Sequence, residues 1–338
     1  MTALPKMSIR LHGGIPPSEC VELAKAADVA GFAGIWFAEN AFGRGILPAA
    51  AACSIATRRI VINAGVFNPY SRHPTMMAME IGGLDELSNG RASLSIGAGI
   101  AAATEKLGMS SNRPVPALRD ALMIVRALLR GEEVDYAGAA FSARKVKLDY
   151  VPRPDIPIYL AGRGDLTAKL AGDLADGLLV SNMCSIAFTA RIAALMQDQR
   201  RVAGRPGTGA VVQYVPCSVH RDRGTAFAAG KRAVGAMLPG FWALGQRIES
   251  AKDALLAGGG ISEADFSSMA ARLAAGEKAE DVLDDAVASA FALIGTPDDC
   301  LRAAKRYAEA GVTELALTFG GAMAAQNLAL LGEVLEHD

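Results

Sequence analysis

Cysteine is scarce in this sequence and never spaced for the work it usually does. Cys20, Cys53, Cys184, Cys217 and Cys300 are odd in number and scattered, with no CxxC pair. Disulfide frameworks and zinc sites both show clustered spacing, so the expectation is buried, reduced thiols. Histidine is scarcer still: no two of His12, His73, His220 and His337 are spaced to share a metal, and no carboxylate completes a set. No metal site is therefore expected. The GxSxG turn that lifts a serine nucleophile is missing. No apolar run reaches the roughly 18 residues that cross a bilayer, and the start lacks a signal peptide's apolar core. A cytoplasmic location without a membrane partner is the expectation. Lys plus Arg (34) nearly balance Asp plus Glu (35), and no basic stretch interleaves with aromatics. Nucleic acid is thereby set aside as a partner.

What is present is repetition. Over 338 residues, 51% hydrophobic and 20% charged, one small grammar recurs: an amphipathic helix, a Gly or Asp-Gly stop, then a short apolar strand. Helix 18–30 stops at Gly31 before 34–38, helix 165–175 at Asp176-Gly177 before 178–181, and helix 297–310 at Gly311 before 314–319. A glycine after the last helical residue adopts the left-handed conformation that other residues resist. Thr296, Pro297, Asp298 and Asp299 form a good helix start. Further strands fall at 7–12, 60–66, 92–97, 157–161 and 210–217, mostly as continuous apolar runs suited to a parallel sheet covered by helices. Eight strands with intervening helices close a (β/α)8 TIM barrel, read here as one domain over 1–338. Two segments are decorations. Residues 132–150 read as a hairpin, with Val134 and Tyr136 facing Phe141. Residues 239–290 read as a helical insertion after the seventh strand, broken at Pro239-Gly240 and Gly258-Gly259-Gly260. Met76, Met77 and Met79 read as helix packing.

Glycines gather where strands end: Gly65, Gly97 with Gly99, Gly162 with Gly164, and Gly320 with Gly321. Bare backbone there lets a ligand lie on exposed amides, and a TIM barrel carries its active site at this end. The pattern marks a pocket for a sizeable, phosphorylated ligand; tight turns without a ligand are the alternative. Gly97-Ala98-Gly99-Ile100-Ala101-Ala102 loosely matches a dinucleotide fingerprint, but Pro114 and Pro116 delay the next helix and Asp120 falls inside it. His12 ends the first strand and can face the pocket or pack; His73-Pro74 opens a helix.

Several segments resemble the luciferase-like family, above all its coenzyme-F420-dependent methylenetetrahydromethanopterin reductases. They are Asn68-Pro69-Tyr70-Ser71-Arg72-His73-Pro74; Leu84 to Arg91 running into Leu94-Ser95-Ile96-Gly97-Ala98-Gly99; Ile158 to Gly164 followed by Ala175-Asp176-Gly177; and Gly295-Thr296-Pro297 with Ala310-Gly311-Val312. The resemblance spans about Ser8 to Phe319 and is weakest across 218–290. It implies an oxidoreductase barrel that binds a flavin or deazaflavin at the strand ends and acts on a small organic substrate. Gly65-Val66 would form a non-prolyl cis bulge behind the ring, with Asn68 in the turn beyond it. Gly97 and Gly99 would lie near the ring or its side chain. Ala161, Gly162, Arg163 and Gly164 would hold the cofactor tail through backbone amides, with Ser181 at the next strand end. Asp165 stands at that helix start and repels a phosphate unless it points away. Glu39 and Asn40 would face the reacting ring as the catalytic pair, Asn40 standing where many relatives carry His. Flavin-using relatives often place an Arg beside the fourth strand's end for the FMN phosphate; Gly-Ala-Gly-Ile stands here, as in the deazaflavin branch. Coenzyme F420 is thus favoured over FMN. Ile100 replaces an acidic residue usual in the pterin reductases, so their substrate is not assumed. An FMN-dependent monooxygenase and a non-catalytic flavin-binding barrel are the alternatives. A homodimer or higher homo-oligomer is expected by the same resemblance.

Overall fold

The computed structural model describes residues 3–109, 112–258, 260–321 and 323–335. Its strands are β1 (Lys6–His12), β2 (Gly34–Ala38), β3 (Val61–Phe67), β4 (Ala92–Gly97), β5 (Val134–Ala137), β6 (Ser142–Val146), β7 (Ile158–Ala161), β8 (Gly177–Val180), β9 (Ala210–Val219), β10 (Leu293–Gly295) and β11 (Glu314–Phe319). Eight of them are parallel and close on themselves in the order β1, β2, β3, β4, β7, β8, β9, β11, with β11 returning to β1. This is the expected (β/α)8 barrel. Successive side chains of a strand point to opposite faces, and the core divides accordingly. Ile9, Ile35, Ile62, Leu94, Ile158, Leu178, Val211 and Leu315 pack outward in the large cluster with the helices. Trp36, Ala38, Leu179, Val212, Tyr214 and Ala316 pack inward.

The helices end largely as the sequence predicts. Gly31 and Gly311 take left-handed φ of 79° and 86°, and Thr296 with Asp299 forms a reciprocal capping box. Gly177 has a different reason: a Cβ there would fall 2.5 Å from the Ala210 carbonyl oxygen and 2.7 Å from the Tyr159 ring. Strand packing, not helix termination, requires it.

Several expectations are corrected. The helical region begins at Arg223 and not at 239, because Arg223–Gly245 is one helix running through Pro239. Val234, Leu238 and Trp242 bury in a second apolar cluster with Phe266 and Phe291, and packing on both sides of Pro239 carries the helix across it. Gly259 of the other expected break lies outside the described residues, as does His337. The short β10 was not foreseen. It pairs with Cys217–Val219, on the edge of β9 opposite β11 and beyond Gln213, the last β9 residue paired with β8. The loop after β4 opens directly into the helix Ala101–Lys106, so no delay separates glycines from helix. The hairpin is present as β5 and β6, but Tyr136 pairs with Ala143 and Phe141 sits in the turn. Of the three methionines only Met77 is buried; Met76 and Met79 are exposed.

Candidate active site

At the end of β3 the Gly65–Val66 peptide is cis. The pairing with β4 slips there, Ala64 to Phe67 lying against Leu94 to Ile96. The Glu39 N–H donates to the Gly65 carbonyl at 2.8 Å, tying the bulge to β2. A Cβ on Gly65 would fall 2.5 Å from the Ser95 carbonyl oxygen. One on Gly97 would fall 2.5 Å from Val66 Cγ1 and 3.3 Å from Ala161 Cβ. The ends of β3, β4 and β7 are therefore brought together as a wall of backbone and small side chains. Val66 and Ala161 on it are half-buried, open toward the barrel mouth.

Asn68 braces the loop beyond this wall. Its Nδ2 donates to Thr104 Oγ1 (3.1 Å) and its Oδ1 accepts from the Tyr70 N–H (3.0 Å). Gly99 lies against it with a φ of 70°. His73 caps the helix Pro74–Leu87, its Nδ1 accepting from the Thr75 N–H. Phe141 packs on both Tyr70 (5.7 Å) and His73 (6.0 Å), so the hairpin supports this loop. At the end of β1, His12 accepts from the Gly14 N–H; burial, and secondarily Arg10, pushes its pKa down.

The end of β2 holds the two residues expected as catalytic, in unlike surroundings. Asn40 is exposed, and its side chain makes no hydrogen bond among the described residues. Glu39 is half-buried and takes Arg72 Nη1 on both oxygens, at 3.1 and 3.2 Å. Arg72 Nε lies 3.0 Å from Glu80 Oε2, at ion-pair distance but without hydrogen-bond alignment. The guanidinium also stacks 4.0 Å over the Phe67 ring. Burial, reinforced by Glu39, raises the Glu80 carboxyl above the usual range, while Arg72 pulls it down. Glu39, expected to face the reacting ring as one of the catalytic pair, is thus engaged by an arginine that the sequence reading had not connected to it.

Where β7 ends, the Gly162 N–H donates to the Leu179 carbonyl (3.2 Å), and Gly164 is the N-cap of the helix Asp165–Leu174. Asp165 at that helix start is ion-paired with Arg191 at 2.8 Å, which neutralises the repulsion its position would give an anion. Arg163 turns aside: its Nε approaches Cys184 Sγ at 3.4 Å, its Nη2 donates to the Asn182 carbonyl at 3.0 Å, and its guanidinium covers the Phe241 ring at 4.9 Å. That contact joins the helical insertion to the strand ends. Trp242 packs inside the insertion on Phe266. Ser181 follows β8, half-buried.

Deeper in the barrel lie three residues the sequence reading missed. Arg10 of β1 donates from Nη1 to Thr318 Oγ1 of β11 at 3.3 Å and sits 4.8 Å over the ring of Tyr214 from β9. A signal for the first was available, because Ser8, Arg10 and His12 alternate with apolar residues and put a charge on the inward face of a buried strand.

Comparison with known proteins bears on the family and the fold. The chain is 29% identical over 305 residues to a 5,10-methylenetetrahydromethanopterin reductase of Archaeoglobus fulgidus, covering 89% of this chain and 90% of the relative. It is 26% identical over 302 residues to the enzyme of that name from Methanolobus tindarius, again covering 89% and 90%. The solved structure of a coenzyme F420 dependent tetrahydromethanopterin reductase from Methanopyrus kandleri superposes with a TM-score of 0.85 at 23% identity, covering 99% of this chain and all of that one. The family model for luciferase-like monooxygenases matches residues 1–314, and the chain belongs to that family.

Proposed function

We propose that this chain is an oxidoreductase that binds coenzyme F420 at the strand ends and moves hydride to or from a small organic substrate. The observation that carries the reading is the wall at β3, β4 and β7, where Gly65 and Gly97 let the strand ends pack closely and present the half-buried Val66 and Ala161 toward the barrel mouth as a surface for a flat ring. Such a cofactor supplies the hydride chemistry itself; the protein binds, orients and sets the field. Val66 would back the ring, with Gly97 and Gly99 beside it. Arg163 and Gly164 would hold the tail with main-chain amides, helped by the N–H groups at the helix start, while Ala161 and Gly162 shape the approach, the Gly162 N–H staying on the Leu179 carbonyl. Ser181 would border the tail, while Asn68 keeps the loop closed. Asn40, exposed and unengaged, would donate a hydrogen bond to the reacting group; Glu39, through Arg72, would hold the end of β2 in place. The relatives named as methylenetetrahydromethanopterin reductases support the cofactor class. Ile100, 60% exposed at the β4 end, offers no carboxylate for a pterin, and the substrate is left at the level of a small organic molecule.

The family's monooxygenases favour FMN as a second reading. Fluorescence titration against F420 and FMN side by side decides between them: tighter binding of F420 is expected, and tighter binding of FMN would refute the reading. Binding without turnover of any substrate would point instead to a barrel that only stores its cofactor. One domain over 1–338, a homo-oligomer such as a dimer and a cytoplasmic location belong to the same proposal. Limited proteolysis, light scattering and cell fractionation test them in turn.

A further inference from the structure

Arg10 is a cation in the barrel interior without an anion. A buried arginine is ordinarily paired with a carboxylate, because an unpaired charge removed from water is costly. Among the described residues no carboxylate lies within ion-pair distance of Arg10. Its one hydrogen-bond partner is the neutral hydroxyl of Thr318, and its Nε has none. The hydroxyl of Tyr214, buried under the guanidinium, also lacks a partner. Glu314 does not serve. It lies four residues before Thr318 on β11, on the order of 13 Å along the strand, and already accepts from Ser8 Oγ and Trp36 Nε1 at 2.5 Å each. Burial pushes the Arg10 guanidinium down, the reverse of what a carboxylate neighbour does.

The open side of this cluster faces the mouth. Arg10 is enclosed by protein yet half-buried by surface, as are His12 and Thr318 above and beside it, so its accessible part looks into the cavity and not to the outside. The ring of strands fixes what lies opposite. In the closed order, β1 stands across from β7, β11 across from β4 and β9 across from β3. Arg10, Thr318 and Tyr214 therefore face the wall of Ala161, Gly97 and Val66 over the width of the barrel. We propose that Arg10 is a substrate-binding residue: with the Thr318 and Tyr214 hydroxyls it receives an anionic oxygen group, a carboxylate or a phosphate, on the molecule that lies against the cofactor. This names the substrate class and rests, for the word substrate, on the oxidoreductase reading above.

The test is calorimetric titration of the whole chain with acetate and with inorganic phosphate, each with and without F420, on wild type, Arg10→Met and Arg10→Lys. Saturable binding of at least one anion by wild type is expected, weakened by about tenfold or more in Arg10→Met and partly restored in Arg10→Lys, which keeps the charge but not the fork. F420 affinity should stay within about twofold in both variants, since their site is across the barrel. Arg10→Met should melt at or above the wild-type temperature, because it removes an uncompensated buried charge. Wild type that binds neither anion, binding indifferent to Arg10→Met, or a melting temperature lowered in Arg10→Met would each overturn the proposal. So would a loss of F420 affinity of about tenfold in Arg10→Met, which would place the cofactor's own anionic groups on the guanidinium. The titration without F420 reads the Arg10 site by itself, so failure of wild type to bind F420 refutes only the cofactor reading.

Discussion

Asp120→Ala should detach the hairpin that holds the candidate site's outer loop. The Asp120 carboxylate, on the helix Pro114–Leu129 and 2% exposed, accepts from Tyr136 Oη (2.8 Å), the Ala140 N–H (2.6 Å) and the Phe141 N–H (3.1 Å). A hydrogen bond to a charged acceptor contributes about 1.5–3 kcal/mol net when buried, and less where the donor can turn to water. The three donors are half-buried, so about 1 kcal/mol each is the reasonable figure, or about 3 kcal/mol together. Asp120→Asn keeps an acceptor for both amides and loses mainly the charge, so it should cost about 1 kcal/mol. Urea unfolding reads the global loss, and hydrogen exchange at Ala140 and Phe141 reads the local one. Because Phe141 packs on Tyr70 and His73, exchange should also quicken in residues 68–73. An Asp120→Ala protein with the wild-type urea midpoint and intact protection at Ala140 and Phe141 would refute the reasoning.

Gly164 is extended at its helix N-cap, and a Cβ there meets nothing within 4 Å. Gly164→Val should accordingly keep the fold by circular dichroism yet weaken F420 binding about tenfold or more by standing on the amides. It is a cleaner probe than a change at Gly162, where a Cβ would lie 2.8 Å from Thr167 Cγ2; unchanged affinity in Gly164→Val would remove the tail site. Asn40→Ala should lower turnover more than about tenfold with cofactor affinity unchanged, an oxyanion-type donor contributing ~3–4 kcal/mol; turnover equal to wild type would take Asn40 out of the site. Glu80 has its carboxyl raised by burial, so its favourable contribution is complete below the unfolded value of about 4.3 and is lost as pH rises through the higher folded value. Glu80→Gln should therefore be at least as stable as wild type at neutral pH, with the difference closing below about pH 4.3. A deficit that is constant from pH 4 to 8 would contradict this.

The barrel could be read from sequence because its signals are local. Apolar runs such as Ile60-Val61-Ile62 mark strands buried on both faces, and each helix carries its own stop. The bulge at Gly65–Val66 and the helix N-cap at Gly164 were reachable through family resemblance. What escaped depends on distant partners. Pro239 reads as a break because propensity is local, while the packing of Val234, Leu238 and Trp242 that overrides it is not. Arg72 sits in a recognised turn, yet nothing near it in sequence says that it binds Glu39. Arg10 could be flagged as a charge in a buried strand, but Thr318 and Tyr214 reach it from strands some 200 to 300 residues away.

The lower half of the barrel is filled. Trp36 stands edge-on to Tyr159 at 4.9 Å and is bonded to Glu314, and Leu179, Val212 and Ala316 close the space around them. A plugged barrel has a single door. Whatever reaches Arg10 must enter before, and leave after, any molecule that covers the mouth above it. Binding in such a vessel follows a compulsory order with the occupant of Arg10 first in and last out, and initial-rate patterns with product inhibition check that order.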